Sequence, residues 1–157
     1  MNTSQEVYDA IKKSEFVWTT GVGKSAVVAD LLARYLRNVG VPAAFLDATD
    51  YWHGGRGGVK INHLLIAVSA SGTTEEIVKV VDDVLCQTIQ IGKRPMLEAD
   101  LHFLVDVRGL SDSALSSDPI HTSCSVYLLA CGYADYAKIS REVAAYNHPA
   151  GATNGTV

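Results

Sequence analysis

Two short loops concentrate the residues able to hold a small anion and move a proton beside it. The first is Gly21-Val22-Gly23-Lys24-Ser25, and the second is Ser69-Ala70-Ser71-Gly72-Thr73-Thr74, followed at once by Glu75 and Glu76. In the second loop, hydroxyls recur at alternate positions and a glycine permits close backbone approach. Free N–H groups at a following helix start would complete a cradle for a phosphate dianion. Glu76 lies two residues beyond Thr74, close enough to a molecule whose anionic group the loop holds to suit the role of general base. Lys24 can stabilise a developing oxyanion or pair with the phosphate. Taken alone, the second loop also fits a plain cap, with Thr73 or Thr74 starting a helix and the serines forming the turn.

Histidine titrates near neutrality and suits proton transfer. His148, in Asn147-His148-Pro149-Ala150-Gly151, is a candidate for that role. It must fold back or reach a neighbouring subunit to play it. His53 is flanked by Trp52 and glycines, an unusual setting for a core histidine. His63, His102 and His121 read as structural or surface residues. No metal triad stands at recognisable spacing, and an ion at His53 would be incidental. No cofactor is expected.

The elements that must position these loops follow from the pattern of apolar residues. Residues 4–13 predict an amphipathic helix, and 15–20 predict a strand that runs into Gly21. A helix over 25–38 leads to Gly40 as a C-cap, and 41–47 reads as a strand. Four glycines in Tyr51–Gly58 (YWHGGRGG) predict a loop. The unbroken apolar run 64–69 suits a parallel strand covered on both faces. A helix to about residue 85 follows, then strands at 88–91 and 101–107, a helix over 123–137, and a further helical stretch over 139–146. The tail from 147 to 157 reads as loose. The alternation predicts one domain, residues 1–157, folded as a three-layer α/β sandwich around a five-stranded parallel sheet of the doubly wound kind. Ligands in such sheets sit beyond the carboxyl ends of the strands, where both loops fall.

The first loop invites two other readings. Its ending Gly-Lys-Ser suggests a triphosphate loop, but that motif needs another glycine five residues before Gly23, where Trp18 stands. Gly21, Gly23 and Ala26 fit a dinucleotide fingerprint with Asp47 as ribose carboxylate. Asp47 lies 26 residues beyond Gly21, however, longer than the usual spacing of about 20.

The chain has 157 residues, 48% hydrophobic and 19% charged, with a formal net charge of −4. That balance gives no basic footprint for nucleic acid, so an acidic ligand must be held by local donors. Cys86, Cys124 and Cys131 form no CxxC pair, and a reduced structural role is expected. The first residues carry no apolar core of a leader, and no apolar run reaches the length of a membrane span. A cytoplasmic location and no membrane contact are expected.

GVGKS, HGGRGG and SASGTTEE together resemble the SIS (sugar isomerase) superfamily, most closely its arabinose-5-phosphate isomerase branch. The likeness runs from about residue 15 to the HPxG-like segment at 148–151. It implies that Ser25, Ser69, Ser71 and Thr74 are phosphate-binding hydroxyls, with Gly23, Gly72 and Thr73 completing their loops. It further implies catalytic roles for Lys24, Glu76 and His148, and a substrate contact at His53. Two departures stand out. The paired CBS motifs of many members are missing from this sequence. The branch's carboxylate after the fifth strand is replaced by Val107-Arg108-Gly109-Leu110, with Asp112 only nearby. The expected activity is aldose–ketose isomerisation of a phosphorylated sugar, arabinose 5-phosphate to ribulose 5-phosphate first, in a homo-oligomer (dimer or tetramer). The alternative is a non-catalytic phosphosugar sensor. A regulator of that kind should carry a DNA-binding helix-turn-helix, for which the residues before Glu15 are too few.

Overall fold

Five short strands, each buried or half-buried along most of its length, form the centre of the molecule. They are β1 (Val17–Thr20), β2 (Ala43–Phe45), β3 (Leu64–Val68), β4 (Gln87–Gly92) and β5 (Leu101–Leu104). The computed structural model describes residues 4–105 and 117–152. All strand pairs are parallel, in the order β2-β1-β3-β4-β5. The central strand β3, Leu-Leu-Ile-Ala-Val, is buried throughout, as a strand covered on both faces must be.

Helices cover both faces. On one face α1 (Ser4–Lys13), α2 (Lys24–Asn38) and α5 (Ser117–Ala137) pack Val7, Ile11, Leu32, Leu36, Val126 and Leu129 against Leu64, Ile66 and Val68. On the other face α3 (Ala48–Trp52) and α4 (Glu75–Asp83) set Tyr51, Ile77 and Val80 against Leu65 and Ala67. The alternation along β3 thus divides its side chains between two cores. Truncating a side chain such as Ile66 to Ala would cost about 2–5 kcal/mol. Tyr136 donates a hydrogen bond to Asp9, tying α5 to α1 and holding the Asp9 carboxyl below its ordinary range. The described residues end in two short helices, α6 (Arg141–Asn147) and α7 (Pro149–Ala152).

This is the three-layer α/β sandwich that the strand–helix alternation predicts, with corrections at its margins. The first two strands are shorter than expected, beginning at Val17 and Ala43. The glycine-rich stretch Tyr51–Gly58 is not simple loop. Asp47 caps α3 with its carboxylate, accepting from Thr49 N (2.7 Å) and Asp50 N (3.1 Å). A single 3-10 turn, Gly55–Gly58, follows. Glycine density hides elements this short, because one turn needs few residues of good propensity. Likewise the expected loose tail contains α7. Residues 107–110 and Asp112 lie outside the described residues, as do the side chains of His121 and Cys124. Among the described residues, no helix is long and apolar enough to cross a membrane.

Candidate functional site

The strand order reverses between β1 and β3. The helix after β1 packs on one face of the sheet and the helix after β3 on the other, which opens a crevice at the carboxyl edge. Both glycine- and hydroxyl-bearing loops leave from that crevice. Thr20 and Ala67 are paired in register, so the loops begin on neighbouring strands, about 4.8 Å apart.

In the first loop, Gly21 is buried, and a Cβ there would lie 2.6 Å from the Ser25 carbonyl oxygen. Only glycine lets α2 start this close to the strand. Gly23 takes the N-cap position with φ 61°, and no side chain caps the helix. Lys24 is exposed and Ser25 half-buried on the first turn.

The second loop is knitted by its own hydroxyls. Ser69 Oγ accepts from Gly72 N (3.2 Å) and lies 2.9 Å from Thr74 Oγ1. Ser71 Oγ accepts from the Thr73 N–H (3.2 Å) and the Thr73 hydroxyl (3.1 Å). Thr74 sits at the N-cap of α4, yet its side chain makes no capping bond. The expectation that Thr73 or Thr74 caps this helix therefore fails for the side chains. The hydroxyls serve the loop, and α2 and α4 both begin with N–H groups that no side chain satisfies.

The loop is anchored from below by the turn after β4. Lys93 N and Arg94 N donate to the Ala70 carbonyl (3.0 and 3.2 Å). Gln90 Nε2 donates to the carbonyls of Ser69 (2.8 Å) and Arg94 (2.7 Å). His102 Nδ1 lies 3.1 Å from Gln90 Oε1, and burial lowers its pKa, which agrees with a structural histidine. His63 is structural too, since its Nδ1 accepts from Trp18 Nε1 (3.0 Å) and Lys60 N (3.2 Å).

A cavity of ≈ 380 Å³ lies between the first loop, α3 and the start of α4. It brings together Gly21, Gly23, His53 and Glu76, with Asp47, Trp52 and Lys79 beside them. His53, exposed at the C-cap of α3, and Glu76, in the first turn of α4, come from segments more than twenty residues apart in sequence. The segment bearing His53 is pinned to α4. Tyr51 donates to Asp83 (2.6 Å), and Arg56 pairs with the same carboxylate (3.1 Å). Burial, reinforced by Asp83, pushes the Tyr51 hydroxyl well above its ordinary range. Asp47 spends its Oδ1 on capping α3. Sequence reasoning alone misses Trp52 and Lys79 as members of the cavity. The signals available are the exposed aromatic next to His53 and the one-turn spacing of Lys79 from Glu76.

The second-loop residues Ser69, Ser71, Gly72, Thr73 and Thr74 flank the cavity from the α4 side without lining it, and Lys24 and Ser25 lie just past its first-loop wall. His148 is not brought to it. The neighbouring Asn147 donates through Nδ2 to the Asn38 carbonyl at the far end of α2 (2.9 Å). The 15 residues of α2 span about 22 Å, which puts His148 near the opposite edge of the sheet. Among the described residues, no group of three or more His, Cys, Asp or Glu could hold a metal ion.

No protein-family model matches the chain. An uncharacterised Rickettsia prowazekii protein is 27% identical over 128 residues, 78% of this chain and 40% of that one. Arabinose 5-phosphate isomerase KpsF of Escherichia coli is 39% identical over 62 residues, 40% of this chain and 20% of the enzyme. The chain thus spans two fifths or less of these curated relatives. Solved structures follow its fold along almost all of its length. An E. coli protein solved with a sugar phosphate bound superposes with a TM-score of 0.77 at 22% identity, over 92% of this chain and 83% of that one. Vibrio vulnificus NanR, complexed with ManNAc-6P, gives 0.78 at 16% identity over 98% and 61%. The sugar isomerase domain of the RpiR transcription factor of Sphaerobacter thermophilus gives 0.72 at 21% over 92% and 82%. The fold is that of these SIS-domain proteins. Within it, part of the sequence is homologous to the arabinose-5-phosphate isomerases KpsF and, in Francisella tularensis, KdsD.

Proposed function

We propose that this chain is an aldose–ketose isomerase for a phosphorylated sugar, with D-arabinose 5-phosphate to D-ribulose 5-phosphate the leading reaction. The observation that carries the reading is the cavity lined by Glu76, His53 and the glycines of the first loop, between two helix starts without side-chain caps. The phosphate binds at Ser25, Ser69, Ser71 and Thr74, where the positive ends of α2 and α4 favour an anion.

Glu76 removes the proton from C2. The C–H electron pair becomes the C1–C2 double bond of an enediolate, and the charge that develops on O1 is met by Lys24. O1 takes up a proton, O2 releases one, and Glu76 returns its proton to C1, leaving the ketone at C2. His148 opens the furanose form beforehand. Because it sits at the far edge of its own chain, it acts in a neighbouring subunit of a dimer or tetramer. Exposed Val27 on α2 and Tyr127 and Leu128 on α5 offer apolar surface for that assembly.

A phosphosugar-binding regulator is the second reading, favoured by the shared fold of NanR and the RpiR factor. Thermal melting tests what both readings share. Arabinose 5-phosphate should raise the melting temperature and unphosphorylated arabinose should not, since only a ligand bound by the native state stabilises it. Equal shifts from both would overturn the phosphate site.

A further inference from the structure

The segment that bears His53 carries an aromatic side chain the catalytic steps leave unused. Trp52 lines the cavity and is 45% exposed. Its indole is nonetheless held on two sides. Tyr51 meets it in a T-shaped arrangement at 5.1 Å between centroids, and the Arg56 guanidinium lies 5.5 Å from its centre. Both neighbours are fixed by one carboxylate, because Asp83 accepts from the Tyr51 hydroxyl at 2.6 Å and pairs with Arg56 at 3.1 Å. The helix beneath them is capped by Asp47. An exposed surface ion pair alone would hold little. Here it is combined with a buried tyrosine bond, so the indole is positioned before any ligand arrives.

Ligand cavities pair apolar or aromatic walls with a few placed polar groups. In this cavity Glu76, His53 and Lys79 supply the polar groups that can address hydroxyls, and Trp52 supplies a flat apolar wall. The face of an indole is negatively polarised and attracts the weakly positive C–H edge of a partner. Sugars present such C–H faces, whereas a bare phosphate does not.

We infer that Trp52 is the wall on which the C–H face of the sugar packs, held in place by the Asp83 brace, so that the site selects a phosphorylated sugar over phosphate alone. The inference rests on the phosphosugar reading and adds to it the residue that recognises the sugar rather than the phosphate.

Titrations with arabinose 5-phosphate and with inorganic phosphate, followed by calorimetry and tryptophan emission, test it. The chain has two tryptophans. Trp18 is half-buried with its Nε1–H on His63, so the difference between the wild-type chain and Trp52→Phe isolates the Trp52 signal. Arabinose 5-phosphate should change Trp52 emission, and inorganic phosphate should not. Trp52→Ala should weaken arabinose 5-phosphate binding about tenfold while inorganic phosphate binds as before. Trp52→Phe should retain most of the affinity, and Asp83→Asn should lose part of it in the same direction. If inorganic phosphate binds but Trp52→Ala leaves the arabinose 5-phosphate affinity unchanged, Trp52 is not the sugar wall and the phosphate site stands. If neither ligand binds the wild-type chain, the phosphosugar reading falls and this inference with it.

Discussion

Ser69 Oγ lies 2.9 Å from Thr74 Oγ1, so the residue at the N-cap of α4 turns its hydroxyl back into the loop rather than onto its own helix. Ser69 is fully buried and also accepts from Gly72 N, so its hydroxyl is the hub of the turn. Ser69→Ala should lower stability by about 1–3 kcal/mol, because it strands a buried N–H, and should also weaken phosphate binding. Thr74→Ser should preserve both properties. Urea unfolding and phosphate titration of the two variants check this.

Ser71 stands apart from that hub. Its hydroxyl organises only Thr73, on the exposed side of the turn. Ser71→Ala should therefore weaken arabinose 5-phosphate binding by about 1–2 kcal/mol with little change in stability. A large loss of stability with unchanged binding would assign Ser71 to the turn alone.

Gly72 has φ 71°, and a Cβ there would stand 2.7 Å from the Arg94 carbonyl oxygen and 2.9 Å from Pro95. Gly72→Ala combines a left-handed backbone with a clash against rigid main chain. It should cost about 2–3 kcal/mol and separate the second loop from the turn after β4. A melting temperature equal to that of the wild type would contradict the packing described between these loops.

The placement of His148 makes a prediction about subunits. Chains carrying Glu76→Gln and chains carrying His148→Ala should each turn over poorly alone. Mixed and allowed to exchange subunits, they should regain activity, because one site in the hybrid unites an intact Glu76 with an intact His148. Failure of the mixture to exceed either parent would contradict the action of His148 in a neighbouring subunit.

Much of this arrangement is legible in the sequence. Apolar runs such as Leu64–Val68 identify strands because a strand covered on both faces has no polar positions to spare. The glycine and hydroxyl loops mark the strand-to-helix turns at the carboxyl edge of the sheet. Less legible are the short helix around Trp52, which four glycines disguise, and the neighbourhood of Lys79. Helical spacing puts Lys79 one turn beyond Glu76 but cannot say that α3 closes over both. The separation of His148 from the cavity depends on the Asn147–Asn38 contact, which joins residues 109 positions apart and leaves no local signal.

Cys86 gives a prediction in pH. Its thiol is buried, and burial pushes its pKa up to about 11 from an ordinary value of 9.0. The folded state holds this proton more tightly than the unfolded chain does. The associated stability is therefore complete below about pH 9 and is lost as the pH rises towards 11. Native protein at about pH 8 should leave Cys86 unreacted with iodoacetamide, and denatured protein should react at once. Rapid native modification at Cys86 would contradict its burial.

The central claim is that Glu76 takes the C2 proton of a phosphorylated aldose. Proton exchange at C2 of arabinose 5-phosphate in deuterated water, followed by NMR, reads that step directly. The wild-type chain should incorporate deuterium and form ribulose 5-phosphate, and Glu76→Gln should slow the exchange about 10²-fold while still binding the sugar phosphate. Exchange at the wild-type rate in Glu76→Gln would remove Glu76 as the base, and binding without any exchange in the wild type would make the chain a sensor.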